Sequence, residues 1–382
     1  MSVRSFRKVL GRSLLGMAAL VSGAIFVSSA AAQVPPIPVP PGGIPGLPPG
    51  VPGGAPTGVP GLPPIPGIPA PGGTPAVPNI PGMPATLFSP TGSLLMPAMK
   101  DETKKIYQKE IDALAATKKS QVEKIPLLTD SSKEEVNAFA GCDDSGKTFV
   151  VLTEGMYQML DLMSQCRATD ETFGTNYCDE YLKELAKQQE GKAKILPLPP
   201  GLLDPTKSLD QKKLKRQRQL FQEAAGYVVG HELAHHYMGH LGSACTGGPG
   251  GTMKPGDAVK LIKKVVPAVN QINESQSDSE GIKNLLDAGQ NEADYKWSEA
   301  GGLMVIEFFK KLRDLNPSSV LFTFMKTHPE PEVRVFVVKQ TANLWRMQHP
   351  GAVTGNGGTG GGPTAPKLPI PTIPGIPAPA PK

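Results

Sequence analysis

Two of the six histidines in this 382-residue chain frame the pentapeptide His231-Glu232-Leu233-Ala234-His235. Residues four apart on a helix lie one turn apart on the same face. Both imidazoles can then reach one metal ion, which is the pattern of a zinc-dependent hydrolase. Glu232 sits one step round from His231. Its carboxylate can face the open coordination position without binding the ion, as a general base requires.

A catalytic zinc needs a third protein ligand. Glu274, in Asn273-Glu274-Ser275-Gln276-Ser277-Asp278, is the first candidate. Asp278 follows one turn later and can hold a ligand histidine by its outer N–H. Glu292 and Asp294 are the rival pair, but two residues apart they would lie on different faces of a helix.

The signature must stand on a helix, and the flanking residues supply one. No proline occurs from Ser208 to Leu241, and glycine occurs only at Gly226, Gly230 and Gly239. Leu214, Leu220, Phe221, Ala224, Ala225, Val228 and Val229 recur at helical spacing, and the run Gly247, Gly248, Gly250, Gly251 ends the element. Helices are also expected over Lys100–Lys119 (apolar stripe Ile106, Ile111, Leu114, Ala115), Gly155–Ser164, Ala258–Val266, Val269–Leu286, Leu303–Leu315 and Val333–Met347. Val136–Ala140 and Thr148–Thr153 read as a β-hairpin closed by a turn over Cys142–Gly146. Residues 167–207 read as irregular, and Gln290–Gly301 as an insertion. The expected fold is mainly α with a small antiparallel sheet.

This order of motifs resembles the zinc metallopeptidases of the CAAX prenyl protease and HtpX type. The resemblance rests on His231-Glu232-x-x-His235, Glu274-Ser-Gln-Ser-Asp278-Ser-Glu-Gly281, Thr327-His328-Pro329 with Arg334 beyond it, and Asn137-Ala138-Phe139-Ala140. It spans residues 130 to 345. It implies an α+β zincin-like domain in which His231, His235 and Glu274 bind one zinc ion and Asp278 supports them. It also implies that His328 and Arg334 act near the ion or the developing oxyanion, and that Asn137, Ala138, Phe139 and Ala140 form an edge strand that holds substrate. His240 also fits the pattern but reads as structural, and His236 and His349 as solvent-facing. The membrane-spanning helices of some members have no counterpart here.

The remaining sequence places the domain outside the cytoplasm. Arg4, Arg7, Lys8 and Arg12, the apolar run Leu14–Val27 and the site Ser29-Ala30-Ala31-Ala32 read as a secretory signal over residues 1–32, cleaved before Gln33. No other stretch is long and apolar enough to cross a membrane. The 43 glycines and 42 prolines concentrate in two arms, 33–98 and 350–382, leaving 99–349 as the metallopeptidase domain. Repeated Pro-Gly-apolar units cannot form a helix or ladder and read as disordered, polyproline-like spacers, with binding to an envelope partner as the alternative. Four cysteines in an oxidising compartment imply two disulfides. Of three pairings, Cys166–Cys178 is the local one, which leaves Cys142 with Cys245. The net charge of +5 is mild, and no basic patch is interleaved with aromatics, which argues against nucleic acid. The expected activity is an exported zinc endopeptidase acting on unfolded or misassembled envelope proteins. The alternative is a zinc-binding periplasmic chaperone or assembly factor.

Overall fold

The computed structural model describes residues 77–84, 86–187, 205–254, 271–316, 328 and 331–355, all within the unit Ala70–Lys382. The expected helix Ala258–Val266, the prolines at 197, 199 and 200, and Thr327 and Pro329 lie outside the described residues. So do the signal segment and most of both arms.

The chain is mainly helical with one small sheet. Helix α1 (Met96–Ala113) is followed by α2 (Ala116–Val122), β1 (Leu127–Asp130), β2 (Ala138–Cys142) and β3 (Thr148–Thr153). Then come α3 (Glu154–Phe173), α4 (Tyr177–Lys187), the short α5 (Pro205–Ser208) and α6 (Gln211–Tyr237). After a 3₁₀ turn (Gly242–Cys245) follow α7 (Gln271–Gly289), α8 (Ala300–Leu315) and α9 (Pro331–Gln348).

Helix α6 is the axis of the core. Asp210 caps it by accepting from the Lys213 N–H at 3.0 Å. Its apolar residues Leu220, Phe221, Ala224, Ala225, Val228 and Val229 are all buried, with α1, α3, α7 and α8 packed around them. Such a helix, apolar on several faces, is stabilised mainly by burial rather than by its own propensity. It ends at Tyr237, and Gly239 follows with φ +73, a left-handed conformation that favours glycine.

The single helix expected over Lys100–Lys119 is two. Leu114 adopts an extended conformation and stays buried, while Ala115 is exposed and lies off the stripe. Helix α3 runs well past Ser164, and the region expected to be irregular contains α4. Asp170 explains this: its carboxylate accepts from the Tyr177 N–H at 2.7 Å and the Cys178 N–H at 3.1 Å, capping α4 as it leaves α3. The Cys166–Cys178 disulfide ties the same two helices. Tyr181, Leu182, Leu185 and Ala186 then bury α4's apolar stripe, with Tyr181 against Phe308 of α8.

The sheet has the order β1-β3-β2. The expected hairpin is present, with Phe139 opposite Val151 in the antiparallel pair β2–β3. The sheet is nevertheless mixed, because β1 pairs with β3 in parallel, Leu127 opposite Val150. Val150 and Leu152 face the main core. Phe149 and Val151 join Phe139 in a second apolar cluster against Leu128 and Met253. Both faces of β3 are covered, which is why its sequence lacks polar alternation.

The stretch 290–301 is an integral part of the core rather than an appended loop. Trp297 and Tyr295 are buried, and the Tyr295 hydroxyl and Ser298 N–H both donate to Glu223 of α6 at 2.7 Å. The ordered domain also begins before residue 99. Ile80, Leu87, Phe88 and Leu94 are buried in the core, and the Leu94 N–H donates to the buried Asp161 carboxylate at 3.2 Å.

Candidate metal centre

Helices α6 and α7 meet through two glycines. A Cβ on Gly281 would lie 2.8 Å from the His231 backbone nitrogen, and one on Gly230 would lie 3.2 Å from the Gly281 carbonyl. This approach brings Glu274, in the first turns of α7, against the histidine face of α6.

His231, His235, Glu274 and His328 each present a ligand atom within one buried group no wider than 4.8 Å. His231 Nε2 and His235 Nε2 are 3.1 Å apart. Glu274 Oε2 is 3.4 Å from His231 Nε2, and Glu274 Oε1 is 3.3 Å from His235 Nε2. Ligand atoms around a tetrahedral zinc, with bonds of about 2.0–2.2 Å, are spaced about 3.3–3.6 Å apart. The donors therefore fit one such ion. Glu274 Oε1 and Glu232 Oε1 are buried and make no hydrogen bond, which costs free energy unless a cation or substrate completes them. Imidazole and carboxylate donors of this kind suit zinc and other first-row divalent ions.

Electrostatics point the same way. Burial opposes protonation of His231, yet Glu274 and Asp278 raise its pKa to about 10. Burial also works against ionisation of Glu274, but the surrounding histidines hold its carboxyl well below the usual range. Positive charge is thus strongly favoured at the centre of the group. A divalent cation satisfies that demand while leaving both ring Nε2 atoms free to bind it.

Each ligand is oriented from behind. The His231 Nδ1–H donates to Asp278 Oδ1 at 2.9 Å. Asp278 in turn accepts from the Tyr227 hydroxyl at 2.6 Å and from Arg334 Nε and Nη2 at 2.9 and 2.8 Å. The Asp278 carboxyl is buried, yet Arg334 and His231 hold its pKa down. Arg334 also donates to the Tyr227 oxygen at 2.9 Å, and its Nη1 is 3.9 Å from Glu274. These bonds direct the guanidinium at the supporting carboxylate, with Glu274 beyond it. His235 has its own support: its Nδ1 lies 3.1 Å from His240 Nδ1, and His240 Nε2 lies 3.0 Å from Gln276 Oε1. A consistent proton assignment runs outward, from His235 to His240 to Gln276.

His328 enters from the segment before α9. Its Nδ1 is 2.7 Å from Glu274 Oε2 and its Nε2 is 3.5 Å from Glu232 Oε1. It stands both as a partner of the ligand carboxylate and as a fourth donor. Glu232 Oε2 accepts from the Ala140 N–H at 2.7 Å, and the Ala138 carbonyl lies 3.5 Å from His328 Nε2. Two backbone groups on the outer edge of β2 therefore face the centre. The residues carrying them are buried: Ala138 and Ala140 are enclosed, Phe139 packs into the second apolar cluster, and Asn137 accepts through its carbonyl from the Thr153 N–H at 3.1 Å.

No family model, curated protein or solved structure matches this chain. The functional reading rests on the geometry of the centre.

The rival carboxylates are elsewhere. Glu292 pairs with Lys109, and neither it nor Asp294 joins the donor group. His236 is half-buried, not solvent-facing: its Nε2–H donates to the Phe149 carbonyl at 3.0 Å, tying α6 to β3. Burial lowers its pKa to about 4, so it stays neutral. His349 is exposed and stacks on Trp345. Tyr227 was the residue that the motifs did not reveal. It lies four residues before His231, hence on the same helical face, and that spacing was the signal available.

Proposed function

We propose that this protein is an exported zinc-dependent endopeptidase that hydrolyses peptide bonds of unfolded or misassembled envelope proteins. The observation that carries this reading is Glu232, whose buried, unbonded Oε1 stands beside a donor group that contains His231, His235 and Glu274. A purely structural zinc site has no use for such a base.

His231, His235 and Glu274 would hold the ion, with Asp278, Tyr227, Arg334 and His240 fixing their orientation. Zinc, when bound there, supplies Lewis acidity toward water and the scissile carbonyl. Glu232 Oε1 takes a proton and later returns it to the leaving amine, while Oε2 remains anchored on the Ala140 N–H. β2 is an edge strand, and an extended peptide adding there through backbone bonds, with little sequence selectivity, would use the outer-edge groups that Glu232 and His328 leave open. Unfolded chains offer such segments. The two disulfides and the N-terminal targeting pattern support export to a periplasmic or extracellular setting. Among the described residues no helix is long and apolar enough to cross a membrane.

One observation favours a second reading. His328 offers a fourth donor, and four protein ligands make a closed, structural site. The protein would then be a zinc-binding chaperone or assembly factor with little proteolysis.

One comparison separates the two. Wild type is expected to bind one zinc per chain and to hydrolyse casein until a chelator is added. Glu232→Gln is expected to keep the zinc, measured by elemental analysis, and to lose at least about 10²-fold in activity. Undiminished cleavage by Glu232→Gln would remove the residue from its role, and a zinc-loaded but inactive wild type would favour the chaperone.

A further inference from the structure

Helix α9 is apolar on two sides. One side, with Val338, Ala342 and Trp345, is buried in the core. The other carries Val333, Phe336, Val337, Leu344 and Met347, which fall within an arc of about 100° at the helical period that also includes the exposed Gln340. Val333 and Val337 are half-buried, but Phe336, Leu344 and Met347 are 41%, 55% and 78% exposed. A stripe of this kind on an exported protein marks a surface that something covers.

The chain itself contains a suitable occupant. Eight residues of the form apolar-Pro-x-apolar-Pro-Gly-apolar-Pro occur three times, at Leu62–Pro69, Val77–Pro84 and Ile370–Pro377. The middle copy lies within the described residues and is docked. Ile80-Pro81-Gly82-Met83 forms a turn closed by the Met83 N–H on the Ile80 carbonyl at 3.0 Å, with Gly82 at φ +79, as a type II turn requires. Ile80 is buried, and Val77 and Met83 pack against the same core. The unit therefore presents its three apolar residues to a protein surface.

The C-terminal copy is placed to reach α9. The described chain ends at Gly355, whose N–H donates to the Lys296 carbonyl at 2.8 Å. Thr354 accepts from Arg346 of α9 at 3.3 Å. The exit is thus pinned at the C-terminal end of α9, on the side of Arg346, and the tail must pass round the helix to reach the stripe. Between Gly355 and Ile370 lie 14 residues, rich in glycine at the start. A glycine-rich stretch of that length has a reach of about 20 Å as a random chain. The stripe from Met347 to Val333 is about 21 Å long. A second copy of the protein is the weaker occupant, because five side chains on one helix fall short of the ~800 Å² per partner that a stable dimer buries.

We infer that the C-terminal tail folds back and seats its Ile370-Pro-Thr-Ile373-Pro-Gly-Ile376-Pro unit on the outward stripe of α9, as the Val77–Pro84 unit is seated on the core. A photo-crosslinking residue introduced at Leu344 of the full-length mature chain tests this. Mass spectrometry of the irradiated protein is expected to find position 344 joined to peptides within 366–378 of the same chain, with a yield unchanged over roughly a hundredfold dilution. Ile373→Asp with Ile376→Asp, substitutions beyond the described residues, should lower that yield roughly tenfold or more. Cross-links to residues 33–76, a yield that falls with dilution, or no cross-link to the tail would each overturn the inference.

Discussion

At the scale of single residues, the centre combines ligands that attract a cation with supports that cannot move. His231 is held by Asp278, and Asp278 by Tyr227 and Arg334, through buried, charge-assisted bonds. A different buried carboxyl behaves in the opposite way. Glu110 of α1 is fully enclosed, its oxygens make no hydrogen bond, and its carboxyl packs against Gly226 and Gly230 of α6, the second of which immediately precedes His231. Burial raises its pKa well above the ordinary 4.5. The folded chain therefore holds a proton that the unfolded chain releases. The stability linked to Glu110 is present below about 4.5 and is lost as pH rises toward the folded value. Replacing Glu110 by Gln should remove this part of the pH dependence. Urea unfolding of both proteins from pH 4.5 to 8 is expected to show the wild type losing stability relative to the variant as pH rises; parallel profiles would mean that Glu110 ionises normally.

At the scale of elements, the centre depends on three parts meeting: α6, α7 and the hairpin that carries Ala140. The disulfides act on this assembly unequally. Cys142–Cys245 joins the end of β2 to the turn after α6 across 103 residues, whereas Cys166–Cys178 joins α3 to α4 across 12. In the chain-entropy account, closing a loop of about 100 residues contributes about 4.7 kcal/mol and one of about 15 residues about 3 kcal/mol. Replacing Cys142 and Cys245 by Ser should therefore cost more stability in urea than replacing Cys166 and Cys178. Equal losses would show that native packing, and not loop length, governs both links. Both pairings agree with the local reading of the cysteine spacing. The parallel β1–β3 pair was not legible, because β1 is four residues long and its direction depends on a partner that lies beyond β2 in the chain.

At the scale of the whole molecule, the boundary between arm and domain falls within the proline-rich sequence. Ile80, Leu87, Phe88 and Leu94 are core residues although they precede the first long helix. Burying one such side chain contributes about 1.5–3 kcal/mol. A chain beginning at Val77 should melt within about 2 °C of the mature protein. One beginning at Met96 should lose most of its stability, because four buried apolar side chains approach the total stability of a typical domain. Calorimetry on the two truncations checks this, and equal melting temperatures would place residues 77–95 outside the cooperative unit. Composition concealed this boundary, since Pro-Gly units look alike whether or not their apolar residues are buried.

What the sequence determined alone is what one element can encode. The spacing of His231 and His235, the caps and breakers around their helix, and the even number of cysteines all act over a few residues, through a fixed helical period or a local bond. Tertiary structure decided the rest. It brought Glu274 and His328 into one donor group with the two histidines, directed Arg334 at Asp278, gave Tyr227 a role, and anchored Glu232 on Ala140. The first of these depends on how closely two helices can approach at Gly230 and Gly281, and the others on how β2 and α9 pack against them. That distance is set by packing between distant parts of the chain, which no local pattern specifies.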